Sequence, residues 1–214
     1  MNRCKLIEKR LKELYNEPRA ELKFRDNFEL VVAVVLSAQC TDKRVNQVTK
    51  VLFDVAGTPE KMAEMRLEEL EEIIKPCGFY HSKAKALKSL SEDIVTKFGG
   101  DLPKDKETLK TLRGVGEKTA NVVIANAYGV PAIAVDTHVF RVSNRLGIAS
   151  GKTVESVQKQ LESNFPREFW IDLHHSLVLH GRYVCRARRP DCVNCGLKQY
   201  CKHYEEMVLV SLGK

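Results

Sequence analysis

Apolar positions recur along this chain at helical spacing, in segments that end at glycine or proline. Segment 66–75 (RLEELEEIIK) places Leu67, Leu70, Ile73 and Ile74 on one face. Segment 81–98 does the same with Ala84, Leu87, Leu90 and Ile94, and Gly99–Gly100 supplies its stop. Segments 154–165 and 168–180 continue the pattern, and 137–146 begins another helix behind Asp136. Two stretches, FELVVAVVLSA (28–38) and ANVVIANAY (120–128), are apolar nearly all round and rich in β-branched residues. Both exceed a typical strand, and no alternating partner strand occurs elsewhere, so both are assigned as central, buried helices. The fold class is all-α.

Composition narrows the function classes. The chain has 214 residues, 43% hydrophobic and 29% charged, which is ordinary globular usage and excludes general disorder. Its longest unbroken apolar run, 30–36, is too short to span a bilayer. The N-terminus alternates charged and apolar residues, unlike a secretion signal. These features predict a soluble, intracellular, cytoplasmic protein. Thirty-five Lys and Arg against 28 Asp and Glu leave a net charge of +7, which favours a polyanionic partner. The excess is dense near the C-terminus, where Arg182, Arg186, Arg188, Arg189, Lys198 and Lys202 accompany one acid, Asp191. Taken alone, that stretch also fits a solvated basic face.

Seven cysteines, an odd number, argue against a disulfide framework. Four are clustered as Cys185-x6-Cys192-x2-Cys195-x5-Cys201. Four thiolates on short loops match either tetrahedral zinc or a four-cysteine iron–sulfur cluster. Cys4, Cys40 and Cys77 are assigned as small apolar core residues.

Segment 106–112 (KETLKTL) predicts a short amphipathic helix, followed by Arg113-Gly114-Val115-Gly116 and a second helix from Glu117. Helix, Gly-Val-Gly and helix form a helix–hairpin–helix. Its glycines permit positive φ and leave backbone N–H groups uncovered at the positive end of the second helix, where a phosphate can bind. Val115 is expected to tuck between the two helices. Lys118 lies in that helix's first turn, where a cation opposes the macrodipole. A rule broken beside a phosphate-binding loop marks Lys118 as a candidate amine nucleophile. Asp136 follows the apolar run 132–135 and reads as an N-cap, which would also pin a carboxylate in place. His138 is assigned a structural role.

Taken together, these residues resemble the endonuclease III family of DNA glycosylases. The blocks LSAQCTD (36–42), GFYHSKA (78–84), LRGVGEKTANVV (112–123), PAIAVDTHVFRV (131–142), HGRYVC (180–185) and the cysteine tail follow family order and spacing. The resemblance implies two helical lobes flanking a DNA-binding cleft: a six-helix barrel with the helix–hairpin–helix over 21–130, and a cluster domain formed by 1–20 with 131–214. It implies a [4Fe–4S] cluster on Cys185, Cys192, Cys195 and Cys201. The implied substrate is double-stranded DNA with oxidised pyrimidines or abasic sites, bound by a monomer, with the damaged base flipped from the stack. Lys118 matches the residue that attacks C1′ and forms a Schiff base, and Asp136 matches its carboxylate partner. Gln39 matches the residue that fills the space left by the flipped nucleotide, and Phe79 the wedge. Gly114, Val115, Gly116, Arg186, Arg188 and Arg189 would contact phosphates. Arg113 stands where proline is usual in the family, Cys40 where alanine is common, and Phe79 where leucine is more usual.

Three other classes compete. A non-catalytic helix–hairpin–helix DNA-binding protein would need neither Lys118 nor Asp136. An electron-transfer protein built on the cluster would leave the hairpin and basic loop unexplained. A monofunctional mismatch glycosylase resembles this chain but lacks the nucleophilic lysine.

Overall fold

The computed structural model describes residues 2–212. Among them are twelve α-helices and no strand: α1 (Arg3–Leu14), α2 (Asn27–Ser37), α3 (Asp42–Ala56), α4 (Pro59–Glu64), α5 (Leu67–Ile74), α6 (Tyr80–Phe98), α7 (Lys106–Leu109), α8 (Glu117–Tyr128), α9 (Thr137–Leu146), α10 (Val154–Asn164), α11 (Trp170–Tyr183) and α12 (Lys202–Leu212). The two ambiguous apolar stretches are helices α2 and α8. No helix among the described residues is long and apolar enough to cross a membrane. The chain divides into two compact units, Ala20–Val130, and Met1–Arg19 with Pro131–Lys214.

The Ala20–Val130 unit is organised round α2, buried from Phe28 to Leu36. Helices α3, α6 and α8 pack against it. They contribute Val45, Leu52, Leu87, Leu90, Val123 and Ile124 to the core. Complete enclosure explains why α2 has no polar face for periodicity to reveal. Its ends must then be satisfied by protein groups. At the start, Asp26 caps the backbone N–H of Glu29 at 2.8 Å, and Glu29 accepts from the backbone and guanidinium of Arg25, both at 2.7 Å. At the end, Lys83 Nζ, on α6, donates to the carbonyls of Leu36 (2.9 Å) and Ala38 (2.8 Å).

In the second unit, α11 packs against α9. Ile7 and Leu11 of α1 join Val139, Val142, Leu173 and Leu177 in its core. Asp136 is the N-cap of α9, accepting from the backbone N–H of Val139 at 2.7 Å.

Several expectations are corrected. The helix expected over 106–112 closes after Leu109, because the chain tightens into i→i−3 bonds from Thr111 to Thr108, Leu112 to Leu109 and Val115 to Leu112. The 168–180 helix instead starts at Trp170, after a 3-10 turn over Arg167–Phe169, and runs to Tyr183. Cys4 and Cys77 are core residues, but Cys40 is half-buried. Of the two hairpin glycines only Gly114 has positive φ, +86°, whereas Gly116 is extended at −89°.

A Cβ on Gly114 would lie 3.0 Å from Ala86 Cβ, while one on Gly116 meets nothing within 4 Å. Gly114→Ala is therefore expected to cost about 1–2 kcal/mol, the penalty of a side chain in left-handed backbone, with some crowding added. Gly116→Ala should lower Tm less, and thermal unfolding of the two variants side by side checks the order.

Candidate functional site

The hairpin occupies the Ala20–Val130 unit. Val115 is buried, and Gly114, Gly116, Glu117 and Lys118 are exposed. No side chain caps α8, since its N-cap is Gly116. Its first turn therefore presents uncovered backbone to an incoming anion. Glu117 ties α8 back to α7 through ion pairs with Lys106 and with Lys110 at 3.0 Å. The bond from Lys106 holds the Glu117 carboxyl below its usual range. Lys118 is adjacent, yet no carboxylate of its own unit pairs with it. A solvent-facing lysine with no ion pair among the described residues, beside an uncapped helix start, is open to both phosphate and an electrophilic carbon.

Gln39 and Phe79 sit on neighbouring loops of the same unit. Both are exposed, Phe79 by 67%, and both have positive φ, +53° for Gln39 and +49° for Phe79. Left-handed backbone in a glutamine and a phenylalanine is costly and marks loops held for a purpose other than local comfort. Lys83 ties the loops together. Besides the end of α2, its Nζ donates to the carbonyl of Cys77 at 2.8 Å. The lysine is only 6% exposed, and burial pushes its pKa down. The sequence reading missed Lys83, although the signal was present. It shares the apolar stripe of α6 with Leu87, Leu90 and Ile94, where a lysine is out of place.

The remaining candidates belong to the second unit. Cys185, Cys192, Cys195 and Cys201 together line one pocket, with Leu146, His180 and Tyr204. Burial pushes the thiols of Cys192, Cys195 and Cys201 up, and negative charge on neighbouring cysteines pushes them further. Four thiolates in that space need a cationic centre. Among the described residues no three His, Cys, Asp or Glu side chains converge as ligands of a single ion. Hydrogen-bond donors are already aimed at the sulfurs. The backbone N–H of Leu197 approaches Cys195 Sγ at 3.4 Å, and the Arg145 guanidinium approaches Cys185 Sγ at 3.5 Å. His180 lies 3.5 Å from Cys195 Sγ through Nε2 and 2.8 Å from the Tyr15 hydroxyl through Nδ1. Burial drives the His180 pKa down to about 4, so its ring is neutral, with one ring nitrogen donating and the other accepting across these two contacts.

Asp136 reaches this centre through its helix. It caps α9, and α9 presents Arg141 and Arg145 one turn apart. Arg141 donates to the carbonyls of Gly181 (2.9 Å) and Cys185 (3.1 Å). Arg145 donates to those of Arg186 (2.8 Å) and Ala187 (3.2 Å). These bonds shape the loop whose side chains Arg186, Arg188 and Arg189 are all exposed, with no carboxylate partner among the described residues. His138 bonds Arg141 at 3.2 Å, in keeping with a structural role. The structure thus gathers the hairpin, Lys118, Gln39 and Phe79 in one unit, and Asp136, the cysteines and the basic loop in the other.

Known proteins share this sequence and fold. Residues 32–167 match the HhH-GPD superfamily base excision DNA repair protein family. The endonuclease III of Haemophilus influenzae is 46% identical over 209 residues, covering 97% of this chain and 99% of its own. A solved endonuclease III in a non-covalent complex with DNA superposes with a TM-score of 0.91 at 42% identity, covering 98% of this chain and 99% of that one. A second, a trapped endonuclease III–DNA covalent intermediate, has the same score and identity and covers 97% and 99%. On full-length similarity and shared fold, the chain belongs to the HhH-GPD superfamily of base excision DNA repair proteins, as a DNA glycosylase of the endonuclease III kind.

Proposed function

We propose that the protein is a bifunctional glycosylase and abasic-site lyase that removes oxidised pyrimidines from double-stranded DNA. The observation that carries this reading is Lys118, exposed and unpaired within its unit, in the first turn of the uncapped helix α8. A hairpin that only held phosphate would have no use for an amine there, and a monofunctional glycosylase would activate water instead. The covalent intermediate trapped in a relative supports the same chemistry.

In this reading Gly114, Val115 and Gly116 hold the backbone by phosphate contacts that read no sequence. Phe79 wedges the stack and Gln39 fills the space vacated by the flipped nucleotide. The Lys118 amine attacks C1′, the C1′–N bond breaks with its electron pair leaving on the base, and the new amine loses a proton; the C1′–O4′ bond then breaks with its electron pair going to O4′, which is protonated, as the C1′=N iminium forms. Removal of a C2′ proton then expels the 3′ phosphate, cutting the strand by β-elimination. Asp136, fixed by its bond to the Val139 N–H, is the carboxylate that accepts and returns protons at the lysine and sugar.

Cys185, Cys192, Cys195 and Cys201 would hold a [4Fe–4S] cluster, which the all-thiol donor set and the N–H groups aimed at it fit. When bound, the cluster supplies a rigid, charge-balancing scaffold for the Arg186–Arg189 loop. The arginines of that loop would clamp phosphates.

Borohydride should trap the wild-type protein covalently on DNA carrying thymine glycol or an abasic site. Lys118→Gln should lose trapping and strand cleavage while still binding DNA, and Asp136→Asn should slow turnover about 10²–10⁴-fold. Base release without any trapping would instead assign the monofunctional mechanism.

Replacing Arg188 and Arg189 together should flatten the dependence of log affinity on log salt by about 1.8, or ~0.9 per lost phosphate contact. Damaged and undamaged duplexes should weaken alike, and titration at several salt concentrations measures both effects.

The purified protein should be yellow-brown with about four irons per chain. Cys195→Ser should lower iron content and DNA binding together. Stoichiometric zinc in a colourless, active preparation is the opposing outcome.

A further inference from the structure

Lys83 makes more bonds than the end of α2 requires. The last four carbonyls of that helix are each satisfied: Val34 by the Ser37 hydroxyl at 2.7 Å, Val35 by the Ala38 N–H at 3.4 Å, Leu36 by Lys83 Nζ at 2.9 Å and Ser37 by the Cys40 N–H at 3.0 Å. One bond from Lys83 completes that set. Its other two, to the carbonyls of Ala38 and Cys77 at 2.8 Å each, lie beyond the helix, on the peptides that enter Gln39 and Gly78.

Ser37 to Cys40 form a type II turn. The Cys40 N–H donates to the Ser37 carbonyl, Ala38 has φ −56° and ψ 115°, and Gln39 follows at φ +53°. A type I turn over the same residues would give the third one φ of about −90°, which suits glutamine better, and the two types differ by a flip of the central peptide. That peptide joins Ala38 to Gln39, and its carbonyl is the one Lys83 holds. The ammonium therefore selects the turn in which Gln39 is left-handed. It acts on the other loop in the same way. The Cys77 carbonyl precedes Gly78, at φ +63° and ψ 153°, and Phe79 follows at φ +49° and ψ 27°. The backbone N–H of Lys83 also donates to the Phe79 carbonyl at 3.1 Å, so both ends of one residue grip this turn.

We propose that Lys83 is a positioning residue for nucleotide extrusion, holding the Ala38 and Cys77 carbonyls so that Gln39 and Phe79 are presented in left-handed backbone before DNA arrives. The backbone strain is then met once, in folding, rather than at each encounter with DNA. Buried as it is, Lys83 reaches neither the duplex nor the reacting atoms, so it acts on unstacking and not on the bond changes at C1′. This functional half rests on the roles proposed for Gln39 and Phe79; the selection of the turn does not.

Lys83→Met keeps the length of the side chain and removes the ammonium. In a crystal structure of the full-length variant the Ala38–Gln39 peptide should flip and Gln39 should take negative φ; an unchanged turn overturns the selection. Single-turnover release of thymine glycol from duplex, read after alkali, should fall ~100-fold, the cost of site residues displaced by about an ångström. The fluorescence rise of 2-aminopurine beside the lesion, which reports unstacking, should slow with it. Borohydride trapping at an abasic site, where no base leaves the stack, should stay within about threefold. Lys83→Arg, which restores charge and donors, should recover most of the lost rate. A loss shared equally by unstacking and abasic trapping makes Lys83 merely structural and refutes the proposal, as does release within about twofold of wild type. Where Lys83→Met melts too low to assay, Lys83→Gln, with two donors for three carbonyls, should give the same pattern in smaller degree. Gln39→Ala and Phe79→Ala, in protein that keeps Lys83, test the loop roles separately. Release at the wild-type rate in both would overturn those roles and leave the turn selection standing.

Discussion

Helix α2 has no polar face, and that constraint organises its unit. A helix buried on every side cannot hand its terminal N–H and C=O groups to water, and each group left unpaired costs about 1–3 kcal/mol. The chain answers with charge at both ends. Glu29, 1% exposed, sits with Asp26 and Arg25 at the N-terminus, and the Lys83 ammonium sits at the C-terminus. Each sign complements the helix dipole at its end. Lys83 makes three charge-assisted bonds to carbonyls, which is what makes a desolvated ammonium tolerable. Because those carbonyls come from the end of α2 and from Cys77, closing α2 also holds the segment bearing Gln39 to the one bearing Phe79. Fold and site share one interaction there.

The second unit solves a different problem. Its hydrocarbon core is formed by α1, α9, α10 and α11, but the segment from Cys185 to Cys201 is mostly loop and has little apolar material of its own. Order is imposed from outside by the paired arginines of α9, by His180 on α11 and by Tyr15 after α1. Asp136 stands at the head of this chain of support: the residue proposed to handle protons is also the cap of the helix that shapes the basic loop. Its replacement by a residue unable to cap would confuse chemistry with folding, whereas asparagine keeps the cap and removes the charge.

Much of this was legible in the residues. Periodicity located α5, α6, α9 and α10, and length with the absence of an alternating partner strand separated helix from strand for α2 and α8. The hairpin and Lys118 were visible because their signals are local: two glycines, a helix start and a cation in the wrong place. Cysteine spacing likewise announced a four-thiol centre without saying which centre. The shortness of α7 was not legible, because an amphipathic seven-residue pattern is compatible with either one helix or one turn and a 3-10 tightening. Nor was the difference between Gly114 and Gly116, since the requirement for glycine at the first arises from its left-handed backbone, with the approach of Ala86 and Val35 added.

The sequence by itself determined the helical class, the caps, the hairpin and the identity of the chemically able side chains, because these depend on interactions within a few residues. Only the tertiary structure decided which of those groups meet. Lys83 on a core stripe reads as an error until three carbonyls from elsewhere converge on it. Arg145 reads as a surface helix residue until a loop some forty positions later folds onto it. Such contacts join segments far apart in the chain, and their geometry is set by how whole helices pack, which no local pattern encodes.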